Sequence, residues 1–318
     1  MVEIIIAFAL DLLVGDPPYA LHPVRIIGRR IEAMEKWLRA RISNLKFAGF
    51  IQVLVISVST FTVVWFLTEL AAQFAPLLGK AFTIYFLYSA ISVKDLGLEA
   101  RRVYSALRNH KLEAARENLA RIVGRDTKDL SEEEVIRATV ETVAESFVDG
   151  VLSPLLFAAI GGAPLAMTYK AINTLDSMVG RRTPQYRKFG FVAAKLDEIV
   201  NWIPARISWF LIGLGAFAVN GRGLEAMRVG LEEGAITSSP NGVVPEAAFA
   251  GALGVELGGT NTYSGAKVKT LKLGYPMNPL ERSTIRNAVN LMKASAWVSL
   301  FFALLVKTLS GLLYYHLV

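Results

Sequence analysis

Two long runs of apolar residues lie in the first third of the chain, at 47–70 and 77–93. The first run contains a single charged residue, Glu69, near its end, and a helix of this length can cross a hydrocarbon core of about 30 Å. Ala75-Pro76 lies between the runs and is typical of a tight connection. The pattern predicts a helical hairpin in a membrane, with a buried core helix as the alternative for the first run.

Three further apolar segments follow, at 151–167, 202–219 and 294–318. The first of them is interrupted by Gly161-Gly162, and the second carries a proline and an arginine in its first turns. The third is long enough to span a membrane. Interrupted apolar segments are tolerated at membrane depth when protein or a cavity surrounds them. We therefore expect broken or re-entrant helices in the two interrupted segments.

The polar stretch between these apolar regions has helical spacing and many charges. Ser131 followed by Glu134 matches a capping box and predicts a helix over 132–147. Asp149 and the glycine after it are predicted to end this helix, and Ser153 to begin the next as its N-cap, with a proline in the first turn. Local side-chain patterns thus predict cytoplasmic helical loops between the membrane segments.

Composition and charge agree with a membrane protein. Hydrophobic residues make up 53% of the 318 residues and charged residues 19%, with a net charge of +7. Of the 34 basic residues, 32 lie in the four polar segments 25–46, 94–137, 170–206 and 222–293. Basic segments favour the cytoplasmic side, and the apolar runs favour a membrane surface or anionic substrates over nucleic acid.

The predicted fold class is all-α: a polytopic membrane protein with broken or re-entrant helices and cytoplasmic helical loops. We expect one integral membrane domain over 1–318, with 94–150 as a cytoplasmic helical segment within it. The predicted location is the cell membrane, with multiple passes and an active site that faces the cytoplasm. The chain has no cysteine, which excludes thiolate nucleophiles and cysteine-bound metals.

Common catalytic motifs are absent: the sequence has no phosphate-binding P-loop, no H-E-x-x-H and no G-x-S-x-G. The first candidate cluster is Glu141, Glu145 and Asp149, spaced four residues apart and therefore along one helical face. Neighbouring like charges are unfavourable, and Mg²⁺ or an ammonium group would offset them. A solvated acidic face is the alternative interpretation.

The second cluster combines amide, acidic and basic groups. Lys170, Asn173 and Asp176 are three residues apart and share a rough helical face. Arg181 and Arg182 follow in a dense basic loop, and arginine forks bind phosphate in bidentate fashion. The alternative is ordinary basic flanking of a membrane segment.

The third cluster is Lys195, Asp197, Glu198 and Asn201, on a helix that leads into the apolar segment 202–219. Polar groups at such a boundary are costly unless they are paired. A structural salt bridge and a catalytic role are both compatible with this pattern.

Two Pro- and Gly-containing stretches complete the set. Around Glu246, Pro245 suits the first turn of a short helix, and small residues over 247–252 permit close packing or the approach of a large flat ligand. The region 258–281 is expected to be a long ordered loop. Near the N-terminus, prolines around His22 predict a rigid turn, in which the histidine is a proton carrier, a ligand or a hydrogen-bonded structural residue.

Five stretches together resemble one protein family. They are GDPPYALHPVRIIG, ATVETVAESFVDGVLSPLLFAAIGG, YKAINTLDSMVG, FGFVAAKLDEIVNWIPARI, and SPNGVVPEAAFAGALGVELGG with NTY. They are similar, in the same order, to the CobD/CbiB membrane proteins, the adenosylcobinamide-phosphate synthases of cobalamin biosynthesis. The resemblance covers the chain from near Asp11 to about residue 286.

The resemblance implies a reaction and its participants. The family joins (adenosyl)cobyric acid to an amino-alcohol phosphate, such as aminopropanol phosphate, through an amide bond, with ATP and a divalent metal, here Mg²⁺. The corrinoid is then a substrate, membrane lipid surrounds the protein, and other cobamide-pathway enzymes are expected as partners; nucleic acid is not. ATP would phosphorylate the corrin carboxylate, and the amine would attack the acyl phosphate.

Site residues are carried over from the matching motifs. The expected catalytic residues are Glu145, Asp149, Asp176 and Asp197. The expected metal ligands are Glu141, Glu145, Asp149 and Asp176. The expected substrate- and phosphate-binding residues are Lys170, Asn173, Arg181, Arg182, Lys195, Asn201, Asn241, Glu246, Asn261, His22 and Arg25.

Two other function classes stay open at this point. One is a membrane-embedded, Mg²⁺-dependent phosphotransferase or prenyltransferase, although the aspartate-rich repeats of such enzymes are missing. The other is a non-catalytic membrane sensor or transport component. Retention of the full set of polar residues favours catalysis.

Overall fold

The structure is a computed structural model that describes residues 1–17, 19, 21–181, 183–234, 240–263 and 265–317. The helices are α1 (Val2–Val14), α2 (Pro23–Arg41), α3 (Leu45–Phe74), α4 (Pro76–Ala90), α5 (Val93–Arg108), α6 (Leu112–Ala120), α7 (Glu132–Phe147), α8 (Ser153–Val179), α9 (Phe191–Val200), α10 (Trp202–Asn220), α11 (Gly223–Gly234), α12 (Pro240–Leu253) and α13 (Arg282–Leu317). The strands are β1 (Leu257–Tyr263) and β2 (Ala266–Leu273).

The prediction of an all-α membrane protein is confirmed. Five helical stretches among the described residues are long and apolar enough to cross a membrane: Leu45–Phe74, Pro76–Arg108, Glu132–Val179, Trp202–Asn220 and Arg282–Leu312. Many large apolar side chains on α3 are exposed, among them Phe61 and Trp65, which suits a helix surrounded by lipid rather than by water.

The chain divides into two compact units. Unit 1 comprises Met1–Ser92, Ser153–Trp202 and Leu300–Val318, and unit 2 comprises Val93–Leu152 and Ile203–Ser299. The predicted polar segment 94–150 thus belongs to unit 2. The expectation of a single domain stays a prediction.

In unit 1, α3 and α4 form the predicted hairpin and pack against α8. The two helices of the hairpin approach closely at Gly79, where an added Cβ would lie 2.6 Å from the Cβ of Ala72. The start of α3 meets the loop after α8 in the same way, since a Cβ at Gly49 would lie 1.9 Å from the carbonyl oxygen of Phe189. Glycine at both positions permits backbone contact that any larger residue would prevent.

The α7 helix has the predicted bounds, Glu132–Phe147, and begins at its capping box. Ser131 accepts from the backbone N–H of Glu134, and the Glu134 carboxylate accepts from the backbone N–H of Ser131. The helical path does not stop at Asp149, however, because a π-helical turn over Val148–Leu152 links α7 to α8. A π-turn inserts one residue per turn and often lies at functional sites.

The break predicted in the segment 151–167 is confirmed. The backbone of α8 is non-helical at Gly161 (φ −132°, ψ 19°) and Gly162 (φ 64°, ψ −156°), two residues before Pro164. A positive φ favours glycine, and proline is tolerated in the first turn of the helix that resumes. The break predicted in 202–219 is wrong, because α10 is continuous and its proline lies in the first turn, where no N–H is needed.

In unit 2, α11 and α12 pack closely through small residues, as expected from the stretch 247–252. An added Cβ at Gly251 would lie 2.6 Å from the carbonyl oxygen of Glu225. The α12 helix starts at Pro240, so that Pro245 lies inside it and not in its first turn, which corrects the prediction.

The expected long loop at 258–281 is partly wrong. Its first half forms an antiparallel hairpin of β1 and β2, with an irregularity between Gly258 and Thr260. Gly258 and Gly259 both have positive φ (78° and 96°), and an added Cβ at Gly258 would lie 1.8 Å from the carbonyl oxygen of Leu271. Glycines lower strand propensity, but here they permit the bulge and the close strand pairing.

Candidate active site

Unit 2 contains a buried ion-pair network around Glu141 of α7. One Glu141 carboxylate oxygen accepts a hydrogen bond from the guanidinium of Arg125, and the other lies 3.5 Å from Nη1 of Arg137 and accepts from the backbone N–H of Gly258 at 2.8 Å. The side chains of Arg125 and Glu141 are only 8% and 6% exposed. Two arginines and a backbone amide thus lie against the two oxygens of this carboxylate.

Asn261 of β1 joins the two arginines of this network. Its Oδ1 accepts from Arg125 and, at 3.2 Å, from Nη2 of Arg137, which also donates to the backbone carbonyl of Thr260 at 3.1 Å. The Asn261 side chain, predicted to bind substrate, therefore anchors the β-hairpin to α7.

Two further carboxylates lie beside this network. A Cβ added at Gly242 would lie 3.6 Å from Oε1 of Glu145 and 3.9 Å from Oε1 of Glu246, so both acids present an oxygen to the same point on α12. Glu145 is exposed, and Glu246 is partly exposed. Both residues were predicted as site residues, and the structure brings them together.

The pKa of the Glu246 carboxyl is raised well above its ordinary value. Although part of the side chain is exposed, the protein packed around it is the largest cause, followed by the negative charges of Glu141 and Glu145. The positive charges of Arg125 and Arg137 oppose this shift. A carboxylate with a raised pKa is a proton acceptor of the kind that active sites use.

The remaining predicted residues of unit 2 lie as follows. Asn241 accepts from Nη1 of Arg206 at 3.4 Å, both partly buried. Asp149 is partly buried within the π-turn, and the extra residue of that turn changes its angular position relative to Glu141 and Glu145. That the three acids lie along one helical face stays a prediction.

In unit 1, neutral side chains bind the carboxylate of Asp197. Asp197 of α9 accepts from the side-chain amides of Asn173 at 3.3 Å and Asn201 at 3.1 Å. Asn201 is 1% exposed, and its Oδ1 accepts from the hydroxyls of Ser153 at 2.7 Å and Tyr169 at 2.9 Å. This chain of hydrogen bonds fixes the position of Asp197 through α8 and α9.

The pKa of the Asp197 carboxyl is also raised. Burial is the largest cause, and the hydrogen bonds from Asn173 and Asn201 act in the opposite direction. Asp197 therefore also favours its protonated form more than an exposed aspartate does. The predicted salt bridge in this cluster exists, but it joins Lys195 to Glu198 at 2.6 Å on the surface.

The other predicted residues of unit 1 surround the end of α8. Lys170 and Asp176 are partly buried and Arg181 is exposed. The Asp176 side chain lies against Gly180, where an added Cβ would lie 1.9 Å from Oδ1 of the aspartate. Arg182 lies outside the described residues.

His22 and Arg25 are placed in different environments near the start of α2. His22 is 2% exposed, with its Nε2 3.3 Å from Oδ1 of Asp16 and its ring edge-on to Tyr19. His22 is thus buried beside an acid, and its role stays a prediction. Arg25 is exposed.

The described part of either unit contains no group of three or more acidic or histidine side chains that could hold a metal ion. Glu141 was expected to be a ligand, but its oxygens are taken by Arg125, Arg137 and Gly258. Since Mg²⁺ needs only one or two protein carboxylates beside phosphate oxygens and water, Glu145 and Asp149 still fit such a site.

Sequence reasoning missed the two arginines of unit 2 and the hydroxyl groups of unit 1. Arg137 could have been noticed, since it lies four residues before Glu141 on a mostly apolar helix face. No sequence pattern near Arg125 indicates its role, because its partner Asn261 is 136 residues away. Ser153 was assigned to helix capping, and its hydroxyl instead donates to Asn201.

Comparison with known proteins gives a consistent result. The family described as CobD/Cbib protein matches residues 4–292. A cobalamin biosynthesis protein CobD of Clostridium perfringens is 41% identical over 308 residues, which cover 96% of this chain and 98% of the relative. The corresponding protein CobD of Geobacter metallireducens is 42% identical over 306 residues, covering 96% of each chain. The CbiB of Salmonella typhimurium is 39% identical over 310 residues, covering 96% and 97%. No solved structure matches the chain.

Proposed function

Because the chain belongs to the CobD/CbiB family of cobalamin biosynthesis proteins, we propose that it is an enzyme that forms an amide bond between (adenosyl)cobyric acid and an amino-alcohol phosphate. The observation that carries the proposal is the position of Glu246, a carboxylate with a raised pKa beside Glu145. An amine attacks only as the free base, so the reaction needs a nearby group that accepts a proton.

Glu246 is the proposed proton acceptor for the ammonium group of the amino alcohol. Glu145, on the same side of Gly242, adds negative charge that attracts this cation. The ammonium group gives one proton to Glu246, and the free amine attacks the carbonyl carbon of the corrin acyl phosphate. As the C–N bond forms, the bond between that carbon and the phosphate oxygen breaks, and the second nitrogen proton leaves with the phosphate. The arginines around Glu141 hold the wall of the site in place.

ATP with Mg²⁺ is the proposed co-substrate, and it supplies the activation that a carboxylate needs before an amine can displace its oxygen. Asp149 would hold the metal ion, with phosphate oxygens and water as its other ligands. In unit 1, Lys170 and Arg181 are proposed to bind phosphate groups, and Asp197 to orient or accept a proton from a substrate polar group. We also propose that the site faces the cytoplasm of a cell membrane, because 32 of 34 basic residues lie in the four polar segments.

The test uses purified protein with cobyric acid, Mg-ATP and aminopropanol phosphate, followed by mass spectrometry of the corrin. A mass increase that corresponds to the amide, and that requires ATP, is expected. Corrin binding without a product from well-folded protein would contradict the proposal and favour a non-catalytic binding role. Aminopropanol without its phosphate, tested in parallel, shows which form of the amine is the substrate.

A further inference from the structure

The junction of α2 and α3 in unit 1 combines exposed aromatic rings with cations. Three residues, 42–44, separate Arg41, the last residue of α2, from the start of α3. The guanidinium of Arg41 lies 4.6 Å above the ring of Trp37, and Nζ of Lys46 lies 5.1 Å from the ring of Phe191. Cation–π contacts of this kind hold long basic side chains in defined places.

The rings at this junction point away from the protein interior. Trp37 is 53% exposed, Phe47 54% and Phe191 47%, and Phe50 stacks on Phe47 at 6.5 Å while being exposed itself. Single exposed apolar residues need no explanation, but a continuous group of aromatic residues next to basic ones is typical of the headgroup region of a bilayer.

The position along α3 agrees with this region. Lys46 and Glu69 flank 22 residues without charge, which as a helix measure about 33 Å. This length matches a hydrocarbon core of about 30 Å, so Lys46 lies where the core ends and the phosphates begin.

The orientation of α2 places its basic residues at the depth of Lys46, where the hydrocarbon core ends. A Cβ added at Gly28 would lie 3.6 Å from Sδ of Met178 near the end of α8, and Arg39 stacks on Phe189 in the loop that follows α8. These contacts are eleven residues apart, about 16 Å along the helix, yet both lie at the same end of α8. The α2 helix therefore runs across the end of α8 and not along it.

Charge differs between the two ends of α3. The exposed basic residues near its start are Arg25, Arg29, Arg30, Lys36, Arg41 and Lys46, against one exposed acid on α2, Glu32. The other end has Glu69 and, on α4, Lys80, whose charges cancel. Only the first end is complementary to an anionic surface.

We propose that Arg41 and Lys46, with the surrounding rings of Trp37, Phe47 and Phe191, form a binding surface for anionic phospholipid. The two cations contact the lipid phosphates and the rings contact the upper part of the acyl chains. The surface is separate from the residues proposed for amide formation, and it gives the membrane protein a preference for anionic over zwitterionic lipid.

The test compares the full-length protein with the variant Arg41→Gln/Lys46→Gln in mixed micelles containing equal amounts of phosphatidylglycerol and phosphatidylcholine. Native mass spectrometry counts the lipids retained. The control, Arg121→Gln/Lys128→Gln, removes two exposed cations of unit 2 and has the same net charge. A surface cation contributes about fivefold in binding, so the preference for phosphatidylglycerol should fall about thirty-fold in the first variant and stay unchanged in the control.

Equal loss in both variants, or no loss in either, would overturn the proposal. If the double variant does not fold, Lys46→Gln alone should lower the preference about fivefold, and Arg41→Lys/Lys46→Arg should retain it. Salt should weaken the wild-type preference, since the contacts are electrostatic. Millimolar glycerol phosphate should leave the bound lipid in place; its displacement would identify a site for soluble phosphate instead and would also refute the lipid surface.

Discussion

The two units hold their buried carboxylates in different ways. In unit 1, Asp197 is held by the amides of Asn173 and Asn201, which bring no charge. In unit 2, Glu141 is held by Arg125 and Arg137, which bring two positive charges. Neutral partners orient an acid without adding charge, whereas arginines place positive charge beside it.

The difference indicates which acid is free to react. Three acids, Glu141, Glu145 and Glu246, lie near the two arginines. Burial, together with the negative charges of Glu141 and Glu145, raises the pKa of the Glu246 carboxyl. We therefore propose unit 2 for proton transfer and unit 1 for orienting a substrate group.

The largest effect is expected from Glu246→Gln, which keeps the size of the side chain and removes its basicity. The rate of amide formation should fall about 10²- to 10⁴-fold, since this is the usual contribution of a general base. Product mass per unit time measures it. Glu225→Gln, an exposed acid on α11, should retain the wild-type rate; a Glu246→Gln variant with full activity would show that unit 2 does not transfer the proton.

Arg125→Gln should cause the next largest effect, now on stability. It leaves Glu141 buried with an incomplete set of partners, and the loss of one member of a buried ion pair costs about 3–5 kcal/mol. A lower midpoint of thermal unfolding measures the loss. Arg121→Gln in the same loop region serves as control, because surface substitutions change stability by about 0.5 kcal/mol or less. Equal midpoints for both variants would mean that the network is not a source of stability.

Asn201→Ala tests the neutral network of unit 1. The substitution removes the acceptor of Ser153 and Tyr169 and one donor to Asp197, so a loss of about 1–3 kcal/mol is expected, smaller than for Arg125→Gln. The midpoint of unfolding again measures it. Asn201→Asp keeps an acceptor at this position but places a second acid beside Asp197; stability restored by that variant would contradict the need for a neutral partner.

The smallest expected effect is a dependence of stability on pH that both acids share. Because the pKa of Glu246 and that of Asp197 are raised, the folded state binds more protons than the unfolded state between the ordinary and the raised pKa. Stability should therefore fall as the pH rises through this window and level off above it. Glu246→Gln should flatten the curve more than Asp197→Asn does. Stability that instead rises with pH over this window would be opposite in sign to both shifts.

Features of the fold that depend on neighbouring residues could be predicted from the sequence. The span at α3 follows from an uninterrupted apolar run, and the start of α7 from the pair Ser131 and Glu134. The π-turn that links α7 to α8 could not be predicted, because Asp149 and the glycine after it are typical of a helix end.

The candidate site shows the same limit. Glu145 and Glu246 could be proposed separately from their motifs, but nothing local indicates that both face Gly242. Glu141 was interpreted as a metal ligand because its spacing from Glu145 is visible and its pairing with Arg125 is not. The location of the metal ion and of ATP stays a prediction.

The interruption of α8 at Gly161 and Gly162 has a further consequence for the polar face that follows it. A continuous helix rotates each residue by about 100° relative to the one before, so its first turn would dictate the direction of every later side chain. Because the backbone is non-helical at the two glycines, residues after the break need not continue the regular rotation of the residues before it. The direction in which Lys170, Asn173 and Asp176 project can therefore be set by their own neighbours, and an insertion before the break would leave that direction unchanged.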